Sequence, residues 1–449
     1  MQTILNNYSR IVAPLMAATV TTAAFGKLFV PFYLIGSTAV FVALTLAGVV
    51  LVAFDWRSIR DEARYASDIL PVILLLYALI VASYLANSLG RVPPTHLLGI
   101  LIFHGLFLVF GFAAARAPKA VLATLLAQAA IYLIYIIKFT IWFGDVMRGG
   151  FLQDVFGVRD GALAIALHQH IGMALGLAVL AALGFASRWI RLATIAALPL
   201  VLLFMFHIGS RTAIVALLCG LFFLSWADLW SRSRKLAIAG LAALVICAAV
   251  ASGLFYQFAL HDRTVNAAAT DVVTRTIKEI QSDDPGFRLP IWERSWQRIV
   301  SDPHHLLLGK GIGSFTIDEG LGPPDWLLRK TEAASHSPHN IHLDMLYESG
   351  ILGMLLFTIV AAFPIVVSLR NWKLLSAPER SVISMYIFWL ITEEISGNFA
   401  FGYSFQFFLA LAIGVVSLKR KELAAAGGPR KGLAPKGSLK ELTGPMIVH

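Results

Sequence analysis

Charge is what this sequence has least of. Asp, Glu, Lys and Arg make up 14% of its 449 residues, against roughly 25% in a typical soluble domain, and mean hydropathy is +0.76. A water-soluble globule is excluded by that deficit. Cysteine is also scarce. Cys219 and Cys247 both lie in apolar runs, without CxxC spacing or a Cys/His cluster, so neither a disulfide framework nor a zinc site is expected. The formal charge of +10 would suit nucleic acid, but the basic residues are spread among the gaps between apolar runs. In a membrane protein their location matters more than their sum, and no nucleic-acid partner is expected. Arg10 is the sole charge ahead of the first apolar run, which continues into a second, so no cleavable signal is expected.

What is present is apolar length. A window of about 19 residues gives about twelve spans, near 10–26, 30–54, 68–87, 96–114, 119–143, 161–186, 190–207, 211–228, 235–257, 345–369, 380–397 and 401–418. The expected fold is an all-α polytopic membrane protein. Connecting segments on one side carry thirteen Lys/Arg, among them Arg57, Arg116, Arg188, Arg234 and Arg370, whereas the short segments on the other side carry six. That asymmetry places the first set and both termini in the cytoplasm. Four regions follow: 1–257 with spans one to nine, 258–344 as one large periplasmic loop containing short helices, 345–418 with spans ten to twelve, and 419–449 as a disordered, basic, Gly/Pro-rich cytoplasmic tail. Within the loop, PIWERSWQRIV has helical spacing with Trp292, Trp296 and Ile299 on one face, followed by the Gly-rich turn LGKGIGSF. Loops of this length in compact proteins are usually functional.

Three places hold candidate chemistry. In HIGSRTA (207–213), Arg211 stands at a helix start behind a Gly209–Ser210 turn. It either snorkels to the interface or grips a phosphate. Acidic residues outnumber the nine basic ones in the loop, so an anion site there must be built from individual arginines. Arg288 in GFRLPIW is the best placed, with an ion pair to Asp283 or Asp284 as its alternative. The third place is HSPHNIHLDMLYESGILG, residues 336–353. His336, His339 and His342 have i, i+3 spacing, but Pro338 disfavours helix at Ser337, which argues against a shared metal ion. Asn340 is a candidate helix cap, with Asp344 in the first turns. His339 then remains as a titratable group at a membrane mouth; with an unperturbed pKa of ~6.5 it can take a proton from a sugar hydroxyl.

The spacing His339–Asn340, nine residues, Gly350-x-x-Gly353 resembles the signature of the bacterial O-antigen ligases, within the superfamily that also holds O-antigen polymerases and protein O-oligosaccharyltransferases. The GSRTA segment and the course Gly286, Arg288, Trp292, Gly311, Gly313 are similar as well, as is a large loop before the last few spans. The resemblance implies a glycosyltransferase of the inner membrane, active on its periplasmic face. Its donor would be O-antigen on undecaprenyl diphosphate and its acceptor a lipid A core sugar, amid membrane lipids. It also implies that His339 activates the acceptor hydroxyl and that Arg211 and Arg288 bind the diphosphate. Asn340, Gly350 and Gly353 would support the helix start, and the reaction would be inverting, with no metal and no cofactor. An O-antigen polymerase would share the donor. A transporter would instead use charges deep in the spans, for which Glu393, Glu394, His168 and His170 are the candidates.

Overall fold

The computed structural model describes residues 37–54, 64–143, 161–185, 187–261, 288–324 and 337–425, with a few isolated positions, Thr276 among them. Fourteen α-helices and no strand occur among the described residues. They are α1 (Ser37–Phe54), α2 (Leu70–Ser83, continued by a wide turn to Ser88), α3 (Pro94–Ala114), α4 (Pro118–Phe143), α5 (Gly161–Leu183), α6 (Arg188–His207) and α7 (Arg211–Arg232). After α8 (Arg234–His261) come the short helices α9 (Arg288–Val300), α10 (Pro303–Leu308) and α11 (Ser314–Asp318), and then α12 (Ile341–Arg370), α13 (Ala377–Ser396) and α14 (Tyr403–Ala425).

Six of the described helices are long and apolar enough to cross a membrane: α2 with its wide turn, α3, α6, α7, α8 and α12. The expectation of about twelve spans is therefore met as six, while α1, α4, α5, α13 and α14 coincide with further expected runs as helices. Arg380, Glu393 and Glu394 dilute the apolar character of α13. Most of the first expected span (10–26) and residues 426–449 lie outside the described residues. The last helix runs seven residues beyond the expected tail boundary at Leu418, to Ala425. A Lys419–Glu422 pair at i, i+3 and a 2.8 Å pair from Arg420 to Asp68 accompany that extension.

The long helices pack through small residues and hydroxyls, because lipid tails offer no hydrophobic advantage to helix association. A Cβ on Gly111 of α3 would come within 2.3 Å of the Phe407 carbonyl of α14, so glycine is what allows that contact. Ser384 of α13 donates to the Gly220 carbonyl of α7 at 2.7 Å, and Ser381 to the Leu180 carbonyl of α5 at 2.5 Å. The most enclosed large side chains include Tyr347, Phe357, Phe388, Phe399 and Phe405, on α12, α13, α14 and the segment before α14. By contrast, Leu192, Ile195, Leu200 and Leu203 on α6 and Val245, Ile246, Val250 and Leu254 on α8 face outward. Two full helices of exposed aliphatic side chains suit a hydrocarbon surround.

α7 and α13 lie side by side in opposite directions. Thr212 meets Ser396 at one end, and Asp228 meets Arg380 at the other. The short helices α9, α10 and α11 all pack on α12, toward the Ser396 end.

Candidate functional site

α12 is two helices joined at a break. Gly350 has φ 67° and ψ −172°, a conformation closed to side-chain-bearing residues. A Cβ there would lie 2.3 Å from the Leu307 carbonyl oxygen, and one on Gly309 (φ 77°) would lie 2.3 Å from the Glu348 backbone. The two glycines let the Gly-rich turn of the insertion lie directly on the helix backbone. Helix carbonyls orphaned by the break must find donors elsewhere. Lys310 N donates to Tyr347 O at 2.8 Å and Gly311 N to Glu348 O at 3.0 Å. Ser83 Oγ of α2 donates to both Glu348 O and Leu308 O, while Asn87 Nδ2 donates to Gly309 O. Gly350 thus seats the insertion rather than only supporting the helix start. Gly353 leaves room one turn later, where a Cβ would meet that of Ser349 at 2.3 Å.

Charged groups clasp the same junction from outside. Asp318 pairs with Lys310 at 2.6 Å and accepts from Tyr347 Oη at 2.6 Å, with Arg91 at 3.4 Å. Burial pushes the Asp318 carboxyl up, but hydrogen bonds from Lys310 and Tyr347 and the charges of Lys310 and Arg91 outweigh it, holding the group below the usual carboxylate range. Glu319 is lowered in the same way: burial is outweighed by hydrogen bonds and charge from Arg294 and Arg298.

The short segment Ile341–Ser349 begins at Asn340, whose Oδ1 accepts from Leu343 N at 2.8 Å, the expected N-cap. Its Nδ2 reaches across to α13, donating to Glu394 O at 2.9 Å and to Glu394 Oε2 at 3.1 Å. Glu394 Oε1 also meets His342 Nδ1. Immediately before the cap, His339 has φ 56°, among the uncommon left-handed positions outside glycine. Its N–H donates to Ser337 Oγ at 3.3 Å. Trp292 of α9 fixes the same strand of chain, Nε1 donating to Pro338 O at 2.7 Å. The buried stripe of α9 is Ile291, Ser295 and Ile299, at i, i+4, i+8. Trp296, expected on that face, points outward instead.

The two arginines arrive from separate elements. Gly209 takes φ 75°, turning the chain so that Arg211 opens α7, and Arg211 Nη1 donates to Thr276 Oγ1 at 3.3 Å. Arg288, the first residue of α9, donates through Nη2 to Ser396 Oγ at 3.2 Å. That hydroxyl also shares a 3.0 Å hydrogen bond with Thr212 Oγ1, next to Arg211. Hence the last turn of α13 gathers all three expected regions: Ser396 holds the Arg288 and Arg211–Thr212 regions, and Glu394 holds Asn340 beside His339. Asp283, Asp284, Gly286 and His336 lie outside the described residues, as do the side chains of His168 and His170.

A small cavity beside Ser337 has a mixed lining, with His96, Asp344, Glu348 and Asn398 set among apolar residues such as Phe315 and Phe401. Asp344 Oδ2 accepts from Phe399 N and Glu348 Oε1 from Gly313 N, both at 2.8 Å. Among the described residues, no three His, Cys, Asp or Glu side chains converge in a metal-holding arrangement.

In the sequence Glu394 reads as an intramembrane charge, a satisfied core polar group or a lining of the lipid-donor cavity, and Ser396 and Thr212 do not stand out. The available signal was the run Glu393-Glu394-Ile395-Ser396-Gly397-Asn398 closing an otherwise apolar helix. A search of curated proteins finds no match to this chain. Residues 196–358, which span Arg211, Arg288, His339 and both glycines of the helix break, match the family model described as O-antigen ligase.

Proposed function

We propose that this protein transfers an O-antigen polysaccharide from undecaprenyl diphosphate to a sugar of the lipid A core, on the periplasmic face of the bacterial inner membrane. The observation that carries the reading is the convergence on one turn of α13: Ser396 with Arg288 and Thr212, Glu394 with Asn340. It brings a base-bearing turn and two guanidinium-bearing helix starts to one mouth of the bundle.

In this reading the His339 imidazole removes the proton from the acceptor hydroxyl as its oxygen attacks the anomeric carbon of the donor sugar. A new C–O bond forms, the bond from that carbon to the diphosphate breaks, and undecaprenyl diphosphate leaves with the electron pair. The configuration inverts. Arg211 and Arg288 bind the diphosphate and stabilise the charge it gains. The Thr276 and Ser396 hydroxyls accept from Arg211 and Arg288 and orient the two guanidiniums. The left-handed turn at His339 is the kind of local strain that a surrounding structure holds at working sites.

The test is reconstitution of the purified protein with undecaprenyl diphosphate-linked glycan and lipid A core, with and without chelator. Expected are glycan joined to lipid A core, activity that survives chelation, and loss of transfer in His339→Ala. Glycan joined only to a second lipid-linked glycan would instead identify the polymerase, which would use the same donor site. Full transfer by His339→Ala would remove the assigned base, and loss of activity with chelator would overturn the metal-free scheme.

A further inference from the structure

We propose that the last turn of α13 is a positioning element that sets base and diphosphate sites independently. Glu394 is the positioning residue for His339 and Ser396 the one for Arg288. The inference rests on the function proposed above and assigns roles to two residues that lie beyond the matched family region at 196–358.

An N-cap asparagine needs only its Oδ1 to satisfy the helix start. Asn340 does that with Leu343 N and directs its amide donors across a helix boundary to Glu394, at both the backbone carbonyl and the carboxylate. The carboxylate is shared, its other oxygen meeting His342 Nδ1 on the same segment. Two side chains bracketing one turn of α12 are thus tied to one carboxylate. The residue directly before the bracket is His339, in a left-handed conformation that its own sequence does not favour. With the carboxylate removed, the Asn340 cap would still close the helix, but its lateral anchor would be reduced to one backbone carbonyl. The helix would persist while the direction of the His339 side chain loosened.

Ser396 stands two residues further on and touches different partners, Arg288 Nη2 and Thr212 Oγ1. Loss of its hydroxyl should disturb anion binding rather than proton removal. A generic structural role for this turn would move both properties together. The positioning role separates them.

The experiment measures kcat and donor KM for Glu394→Ala, Glu394→Gln and Ser396→Ala in the full-length, reconstituted protein, with undecaprenyl diphosphate-linked glycan as the varied substrate and thermal unfolding in parallel. Glu394→Ala is expected to lower kcat by about a hundredfold, the scale of an ångström-sized misplacement, with donor KM unchanged. Glu394→Gln, which keeps an acceptor oxygen for Asn340, should recover roughly tenfold of that loss. Ser396→Ala is expected to raise donor KM about tenfold, with a smaller fall in kcat. A Glu394→Ala protein with normal kcat overturns the proposal. So does a change in the same parameter by both alanine variants, or a kcat loss in Glu394→Ala that Glu394→Gln fails to reduce while both unfold at the wild-type temperature. If His339→Ala transfers normally, the proposed function itself falls. If His339→Ala is inactive and Glu394→Ala is not, only the positioning role falls.

Discussion

The two ends of the α7–α13 pair are built from similar residue types and do opposite things. At one end Arg380 donates to Asp228 at 3.1 Å, lies over the Trp372 ring at 5.4 Å and reaches the Trp372 carbonyl, while Trp372 Nε1 donates to the same Asp228 oxygen at 2.7 Å. Cation, anion and indole close on one another, and a Ser376–Glu379 capping box finishes the helix start. At the other end, sixteen residues along α13 and so about 24 Å away, Arg288 and Arg211 reach hydroxyls and His339 sits in a strained turn. An arginine matched to a carboxylate is a fastener. At the other end, hydroxyls hold the guanidiniums in place.

That contrast is sharpest in transfer activity. His339→Ala is expected to reduce turnover by about 10²- to 10⁴-fold and Arg288→Ala by roughly 10²- to 10³-fold, each with little change in thermal unfolding. Asp228→Ala at the fastened end should do the reverse, and equal activity loss at both ends would erase the distinction. Next in size is the helix break. Gly350→Ala forces a left-handed alanine against the Leu307 carbonyl, which should cost about 1–3 kcal/mol of stability and loosen the insertion, read as new protease cleavage near 307–311. Unchanged unfolding would show that the break tolerates a side chain.

A finer comparison uses the indoles. Trp292 donates to Pro338 O and Trp372 to Asp228, one at each end. Both Trp→Phe changes should cost about 1 kcal/mol of stability, but only Trp292→Phe should slow turnover, because its acceptor adjoins His339. The smallest effect is expected with pH. Asp318 and Glu319 are held below their ordinary values of 3.8 and 4.5. Their contribution is therefore complete above those values and drains away as pH falls through the lowered ones. Hydrogen exchange in 303–319 should rise below pH ~4 while the Asp228–Arg380 end, sampled in the same experiment, changes less.

Much of this contrast was legible in the sequence, for identifiable reasons. Apolar runs and caps are local signals, so eleven expected spans coincide with helices and Asn340 is the cap its position indicated. Arg211, Arg288 and His339 were legible as reactive types at element boundaries. The assembly was not. Nothing near Arg288 in the chain names Ser396, 108 residues later, as its partner. Nor could the heptad-like spacing of PIWERSWQRIV decide between Trp296 and Ser295 for the buried stripe, since the outcome depends on a helix that packs from 341 onward. The helix break was hidden for a similar reason: Gly350 is informative only beside Gly309, and their meeting is a tertiary fact.

The break at Gly350 also decides where this chain can be cut and rejoined. Residues 341–349 are hydrogen-bonded to 310–311 and to Ser83, so they travel with the insertion more than with the span that follows. A chimera that exchanges the insertion between relatives at Asn340 would divide one cooperative unit and leave its carbonyls facing foreign loops. A join placed after Gly353 would transplant the cap, the strained histidine and their seat as a single module, with Ser83, Asn87, Arg91, the α13 turn and Phe399 among the partners left to match.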